Sequence, residues 1–137
     1  MKKFLGILTI CFLVLSFKGS EGTSGIAFES ITLVAAKAKA LNAKKYIFID
    51  AYTSWCGPCK QMAATSFKDP EVGKLFNAKF INLKIDCEKD PDGYDVSATY
   101  KVRAYPTLLV IDGTGKLIKQ VVGFQTGEKL IALANSL

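Results

Sequence analysis

The chain contains no histidine. That excludes Ser–His and Cys–His catalysis and any histidine-ligated metal site. Cysteine is scarce, with four residues in all: Cys11, Cys56, Cys59 and Cys87. They are too few and too unevenly spaced to staple a small scaffold, so the core must be hydrophobic. The 18 lysines and arginines are scattered along the chain. This reads as a solvated mixed surface, not a nucleic-acid or membrane-binding patch. There are no internal repeats, low-complexity tracts or linkers. At 137 residues, half of them hydrophobic, the chain suffices for one domain with a real core and is too short for two.

A long hydrophobic run is also lacking, with one partial exception. Phe4 to Phe17 is almost unbroken in its apolarity, behind the basic head Met1-Lys2-Lys3 and ahead of the small, polar Lys18–Gly22. It falls short of the roughly 20 residues a membrane-spanning helix needs. Residues 1–22 therefore read as a secretory signal peptide, with the mature domain at 23–137 starting near Thr23. Cys11 lies inside the run, behind Ile10 and ahead of more apolar residues, and would be lost with it. Three lysines and one glutamate leave too, so the net charge falls from +6 to about +4. Export puts the remaining cysteines where disulfides can persist.

Along the mature chain, Gly25 to Phe28 reads as a short first strand. Ile31, Val34, Ala38 and Leu41 recur at helical spacing between Glu29 and Asn42, marking the buried face of a helix. Tyr46–Tyr52 is β-branched and aromatic, as suits a central strand covered on both faces, with Asp50 the polar exception. A helix is expected from Gly57 to about Phe67, with Pro58 in its first turn. A kink or short loop near Lys68 comes next. Asp69 then caps a helix that has Pro70 at its first position and runs to about Asn77. Phe80–Asp86 is a strand ending at Cys87, Glu88–Asp92 a charged loop, and Gly93–Tyr100 a short helix. Pro106–Ile111 and Lys116–Val122 form a hairpin about Asp112–Gly115. Thr126 caps a last helix with Leu130, Leu133 and Leu137 on one face. The order is βαβαβαββα. The first half implies parallel strands and the closing hairpin an antiparallel pair, so the fold class is α/β with a mixed sheet.

The chemistry centres on Trp55-Cys56-Gly57-Pro58-Cys59-Lys60. A thiolate is the nucleophile, and a helix N-terminus favours an anion. Cys56 stands there. Cys59, one turn further in, can bond to it and is more shielded. Cys56 is expected to attack a target disulfide and Cys59 to resolve the mixed disulfide. Lys60 adds positive charge, with its side chain expected in water. Half of a zinc site or a structural disulfide is the alternative; a zinc site wants four ligands, and only Cys87 is to spare. Asp50 precedes Cys56 by six residues. Buried, its pKa would rise and it could take the proton of Cys59, directly or through a water; at a sheet edge it would simply meet solvent. Pro106 opens a strand. A cis bond is available there, although the residues alone favour trans.

In these features the chain resembles the thioredoxin family, over about residues 25 to 137. Trp55–Lys60 matches the family's Trp-Cys-Gly-Pro-Cys-Lys motif at every position. Phe67–Val72 and Val102–Thr107 are most similar to exported bacterial members. The resemblance implies a thioredoxin fold and a redox-active Cys56–Cys59 disulfide with no bound cofactor or metal. It implies a proton-transfer role for Asp50 and a cis Tyr105–Pro106 bond whose backbone pairs with an extended substrate. Trp55, Gly57, Pro58 and Gly123 would complete the substrate-binding surface. The chain also departs from the pattern. Asn82 stands where members carry a lysine paired with the buried aspartate, and Lys84 lies two residues on, on the same strand face. Tyr105 replaces an aliphatic residue, and the last helix is short. Cys87 lies outside the motif and reads as a small buried hydrophobe, or as a third thiol for pairing or regulation.

The function expected is a thiol–disulfide oxidoreductase acting on disulfides of exported proteins in the reducing direction. It would be a periplasmic monomer supplied with electrons by a membrane thiol-transporting partner. The alternatives are a disulfide oxidase or isomerase, and a non-enzymatic binding or metal-carrier module.

Overall fold

A computed structural model describes residues 24–137. The signal-peptide reading, Cys11 and the start near Thr23 lie outside the described residues. Among them run α1 (Leu33–Ala43), β1 (Tyr46–Tyr52), α2 (Gly57–Ala64), a single 3-10 turn (Ser66–Lys68), α3 (Pro70–Lys79), β2 (Phe80–Asp86), α4 (Gly93–Thr99), β3 (Thr107–Ile111), β4 (Leu117–Val122) and α5 (Gly127–Asn135). The strands form one sheet in the order β2-β1-β3-β4. β1 and β2 are parallel; β1 with β3 and β3 with β4 are antiparallel. The architecture is α/β with a mixed four-stranded sheet.

β1 is central, and its alternation sorts the core. Ile47, Ile49 and Ala51 face Leu33, Ala36 and Ala40 of α1 and Val96 of α4. Phe48 points the other way, into Met62, Val72, Phe76 and Leu130 from α2, α3 and α5. That second layer is strongly aromatic: Phe48 meets Phe76 edge-on, with ring centroids 4.8 Å apart, and Phe67 at 6.3 Å. Such edge-to-face pairs contribute beyond their buried area. Leu130 and Ala134 of α5 are fully buried, and Leu133 and Leu137 are half-buried. Short as it is, α5 seals its side of the sheet together with α3.

Two sequence expectations are corrected. Gly25–Phe28 is not a strand. Its hydrogen bonds go to different elements: Ile26 N–H donates to the Phe67 carbonyl at 2.7 Å, and Ala27 N–H to Asn77 Oδ1 at 2.8 Å. Glu29 N–H reaches the Asn82 carbonyl at 2.8 Å. Bonds scattered over three partners cannot build a ladder. The element order therefore opens on a helix. That helix starts at Leu33, where Thr32 Oγ1 accepts from Ala35 N–H at 3.2 Å, not at Glu29. Its buried face is Leu33, Ala36 and Ala40, while Val34 is 76% and Leu41 58% exposed. The small alanines let the helix approach the sheet closely, and the larger side chains are turned outward.

Elsewhere the expected elements are present, with some ends shifted by one to three residues. β2 spans the segment expected for it, and Asp69 caps α3 by accepting from Glu71 N–H at 2.8 Å and Val72 N–H at 3.3 Å. α2 ends earlier than expected, at Ala64, and the 3-10 turn carries the chain from there into α3.

Candidate functional site

β1 delivers the site and α2 presents it. Past Tyr52 the chain turns through Thr53–Trp55, and Cys56 becomes the N-cap of α2. Cys56 N–H donates to the Thr53 carbonyl at 3.3 Å. Cys56 and Cys59 are joined in a disulfide, with Cα atoms 5.3 Å apart. Cys56 Sγ accepts from Cys59 N–H at 3.2 Å. A backbone donor at a helix N-terminus thus already faces the sulfur that would carry negative charge as a thiolate. Both cysteines are buried, whereas Gly57, Pro58 and Lys60 are exposed.

Trp55, the single tryptophan of the chain, is 64% exposed. Its indole N–H donates to Glu88 Oε2 at 3.0 Å, and its ring meets Tyr105 edge-on at 5.9 Å. The Tyr105–Pro106 bond is cis, not the trans form that the residues alone favour. The Pro106 carbonyl accepts from Gly123 N–H at 2.8 Å. Gly123 has φ +91°, and no atom outside its chain neighbours lies within 4 Å of a Cβ built on it. The position suits glycine through its backbone, since φ > 0 strains other residues.

Asp50 is fully buried, which excludes the edge position. Lys84 stands directly opposite it in the β1–β2 register, and Lys84 Nζ lies 2.5 Å from Asp50 Oδ2. Burial pushes the Asp50 carboxyl above the ordinary aspartate range, and the charge and hydrogen bond of Lys84 offset part of the rise. Lys84 Nζ is also packed over the Tyr52 ring, 4.0 Å from its centroid, a cation–π contact. Asn82 takes no part. It pairs with Phe48 in register, and its amide donates to Asn77 Oδ1 at 3.2 Å and the Phe76 carbonyl at 3.4 Å.

Cys59 and Lys84 line the same cavity of about 220 Å³, with Tyr52, Thr53, Lys60 and Ala63. The second thiol of the motif and the cation holding Asp50 therefore border one space. Cys87 is buried and free at the end of β2. Burial pushes its thiol up, against hydrogen bonding from Ser97 and Tyr105. A raised thiol is a poor nucleophile, so Cys87 stands apart from the motif as a packed side chain beneath Tyr105.

The structure joins Cys56 to Cys59, sets Trp55 against Tyr105 of the cis Tyr105–Pro106 bond, and links Asp50 through Lys84 to the cavity that Cys59 lines. Two contributors were not singled out by sequence: Glu88, which holds Trp55, and Thr53, which borders the cavity with Cys59. Glu88 is one charge among several in the Glu88–Asp92 loop, and no sequence signal marks Thr53. Among the described residues no group of three or more Cys, Asp or Glu could hold a metal ion.

The family profile described as a thioredoxin-like domain matches residues 33–137. A thioredoxin of Mycoplasma genitalium is 33% identical over 101 residues, covering 69% of this chain and 85% of its own. A thioredoxin of Staphylococcus aureus is 35% identical over 82 residues, covering 60% and 72%. Among solved structures, a Bacteroides thetaiotaomicron protein assigned as a disulphide-isomerase superposes with TM-score 0.71 at 36% identity, covering 82% of this chain and 95% of its own. The oxidised C-terminal domain of Neisseria meningitidis DsbD has TM-score 0.63 at 24% identity, over 81% and 97%, a likeness of fold.

Proposed function

Because this chain belongs to the thioredoxin-like family and carries a Cys56–Cys59 disulfide, it is a thiol–disulfide oxidoreductase, and we propose that it reduces disulfides of exported proteins. The redox couple is intrinsic: the two cysteines carry both electrons, and no bound cofactor is needed. The export half of the reading rests on the leader-like residues 1–22. A periplasmic location and a membrane thiol-transporting electron source follow from it.

In the proposed cycle, reduced Cys56 attacks one sulfur of a target disulfide as a thiolate. The other target sulfur leaves with an electron pair and takes a proton. Cys59 then loses its proton and attacks Cys56 Sγ, which releases the second target thiol and closes the disulfide. Asp50 is the base for Cys59, its carboxylate kept usable in a buried site by Lys84. Trp55, Gly57, Pro58 and Tyr105 offer an exposed or half-exposed rim for the target beside the sulfurs. The observation that carries this reading is the disulfide at the N-terminus of α2, with a backbone N–H already on Cys56 Sγ.

The test is reduction of a disulfide-bonded protein by the wild type and by Cys56→Ser. Loss of turnover in the variant is expected, and equal turnover by both overturns the enzymatic reading. A Cys59→Ser trap in the native compartment is expected to hold exported proteins on Cys56. A second reading, disulfide isomerisation, is favoured by the likeness to the Bacteroides protein. Reactivation of a scrambled protein, without net reduction, would select it.

A further inference from the structure

In the disulfide state Thr53 is an anomaly. It is 1% exposed, and its Oγ1 has no hydrogen-bond partner among the described residues. A buried polar atom left unpaired is costly, and such groups call for an explanation. Asp50 Oδ1 and Asn82 Oδ1 share that condition, but Asp50 has Lys84 on its other oxygen. Asn82 has its amide nitrogen bonded to Asn77 Oδ1 and the Phe76 carbonyl. The Thr53 hydroxyl has no partner among the described residues, and Thr53 borders the cavity that Cys59 also lines. Its carbonyl accepts from Cys56 N–H, which ties its backbone to the dithiol turn.

The chemistry of Cys59 changes with redox state. A disulfide sulfur carries no proton and is a poor acceptor. A thiol can donate, and a thiolate accepts strongly. Reduction breaks the Cys56–Cys59 bond and brings in two electrons and two protons. Cys59 Sγ is then free to separate from Cys56 towards the shared cavity. We infer that Thr53 is a positioning residue for Cys59: its hydroxyl, orphaned beside the disulfide, hydrogen-bonds Cys59 Sγ in the dithiol form and so poises the couple towards reduction. The inference rests on the redox couple proposed above and extends it to a residue outside the motif.

The test is the equilibrium of the full chain with glutathione at fixed pH, in which two glutathione thiols supply the electrons and protons and end as glutathione disulfide. Thr53→Val keeps the shape and removes the hydroxyl. Thr53→Ala guards against a packing artefact of valine, and Thr53→Ser restores the donor. Valine and alanine are expected to lower the equilibrium constant for reduction about three- to tenfold, tenfold being ~30 mV for a two-electron couple. Serine is expected to stay within about twofold of wild type. Denaturant midpoints of the two forms supply a second readout. Losing the hydroxyl should lower the midpoint of the dithiol form and leave or raise that of the disulfide form. An unchanged constant, a constant raised by valine, or equal loss of stability in both forms overturns the role of Thr53 while the proposed function stands. A wild type with no reversible couple overturns both.

Discussion

A single side chain, Lys84, decides how Asp50 behaves. The carboxyl is fully buried, and burial raises its pKa more than Lys84 lowers it. Replacing Lys84 by methionine keeps most of the packing over Tyr52 and removes the charge. The Asp50 pKa then rises further. A base must be deprotonated to work, so the resolving step in Lys84→Met should reach half its maximal rate at a higher pH than in wild type. Carbon NMR titration of the Asp50 carboxyl checks the direction independently, and an unmoved titration would remove Lys84 from the account. A milder residue-scale expectation concerns Glu88. Its bond to the Trp55 indole is exposed, so Glu88→Ala should change stability by less than about 0.5 kcal/mol. It should still free the single tryptophan, lowering its fluorescence anisotropy. An anisotropy equal to wild type would mean that the Tyr105 contact alone holds the ring.

Elements were legible where a local signal and the packing agreed. The β-branched run Phe80–Asp86 became β2 with those boundaries, and Asp69-Pro70 opened α3. There the cap satisfies backbone donors that no neighbour could reach. Asp69→Ala should therefore cost about 1 kcal/mol in a denaturant melt, and Asp69→Asn only a fraction of that; equal losses would argue that the carboxylate charge matters more than the hydrogen bond. Legibility failed where two registers fitted one pattern. In α1 the sets 31/34/38/41 and 33/36/40 both have helical spacing, and alanines blur the contrast between them. The close approach of the alanines to the sheet decides between them, and that is a tertiary fact; the Thr32 cap is local and fixes only where the helix starts. The same ambiguity separated Asn82 from Lys84. They share a strand face, and only the β1–β2 register puts Lys84 opposite Asp50. The dithiol motif itself needed no such arbitration, since its chemistry lies in contiguous residues. Thr53 could not be found this way, because an orphaned hydroxyl is defined by partners that the fold withholds.

Taken as a whole, the molecule keeps an ionisable carboxyl on β1, an inner strand of the sheet, and that has a consequence for global stability. The folded state holds the Asp50 proton more tightly than the unfolded chain does, because the folded pKa is raised. Below the unfolded-state pKa both states are protonated, and the favourable contribution is fully present. As pH rises, the unfolded chain ionises first. Stability then falls until pH passes the folded pKa, and beyond that the penalty is constant. The opposite dependence would hold for a carboxylate whose partner outweighed its burial. Urea midpoints between pH 4 and 8 should therefore show a decline in wild type that is absent, or much reduced, in Asp50→Asn. The variant should be the more stable protein at neutral pH and the slower one at resolving mixed disulfides. Thr53 and Lys84 are unchanged in it, so the comparison isolates the carboxyl. A variant no more stable than wild type at pH 8 would mean that Lys84 compensates the burial in full, and that the buried carboxyl carries no net cost.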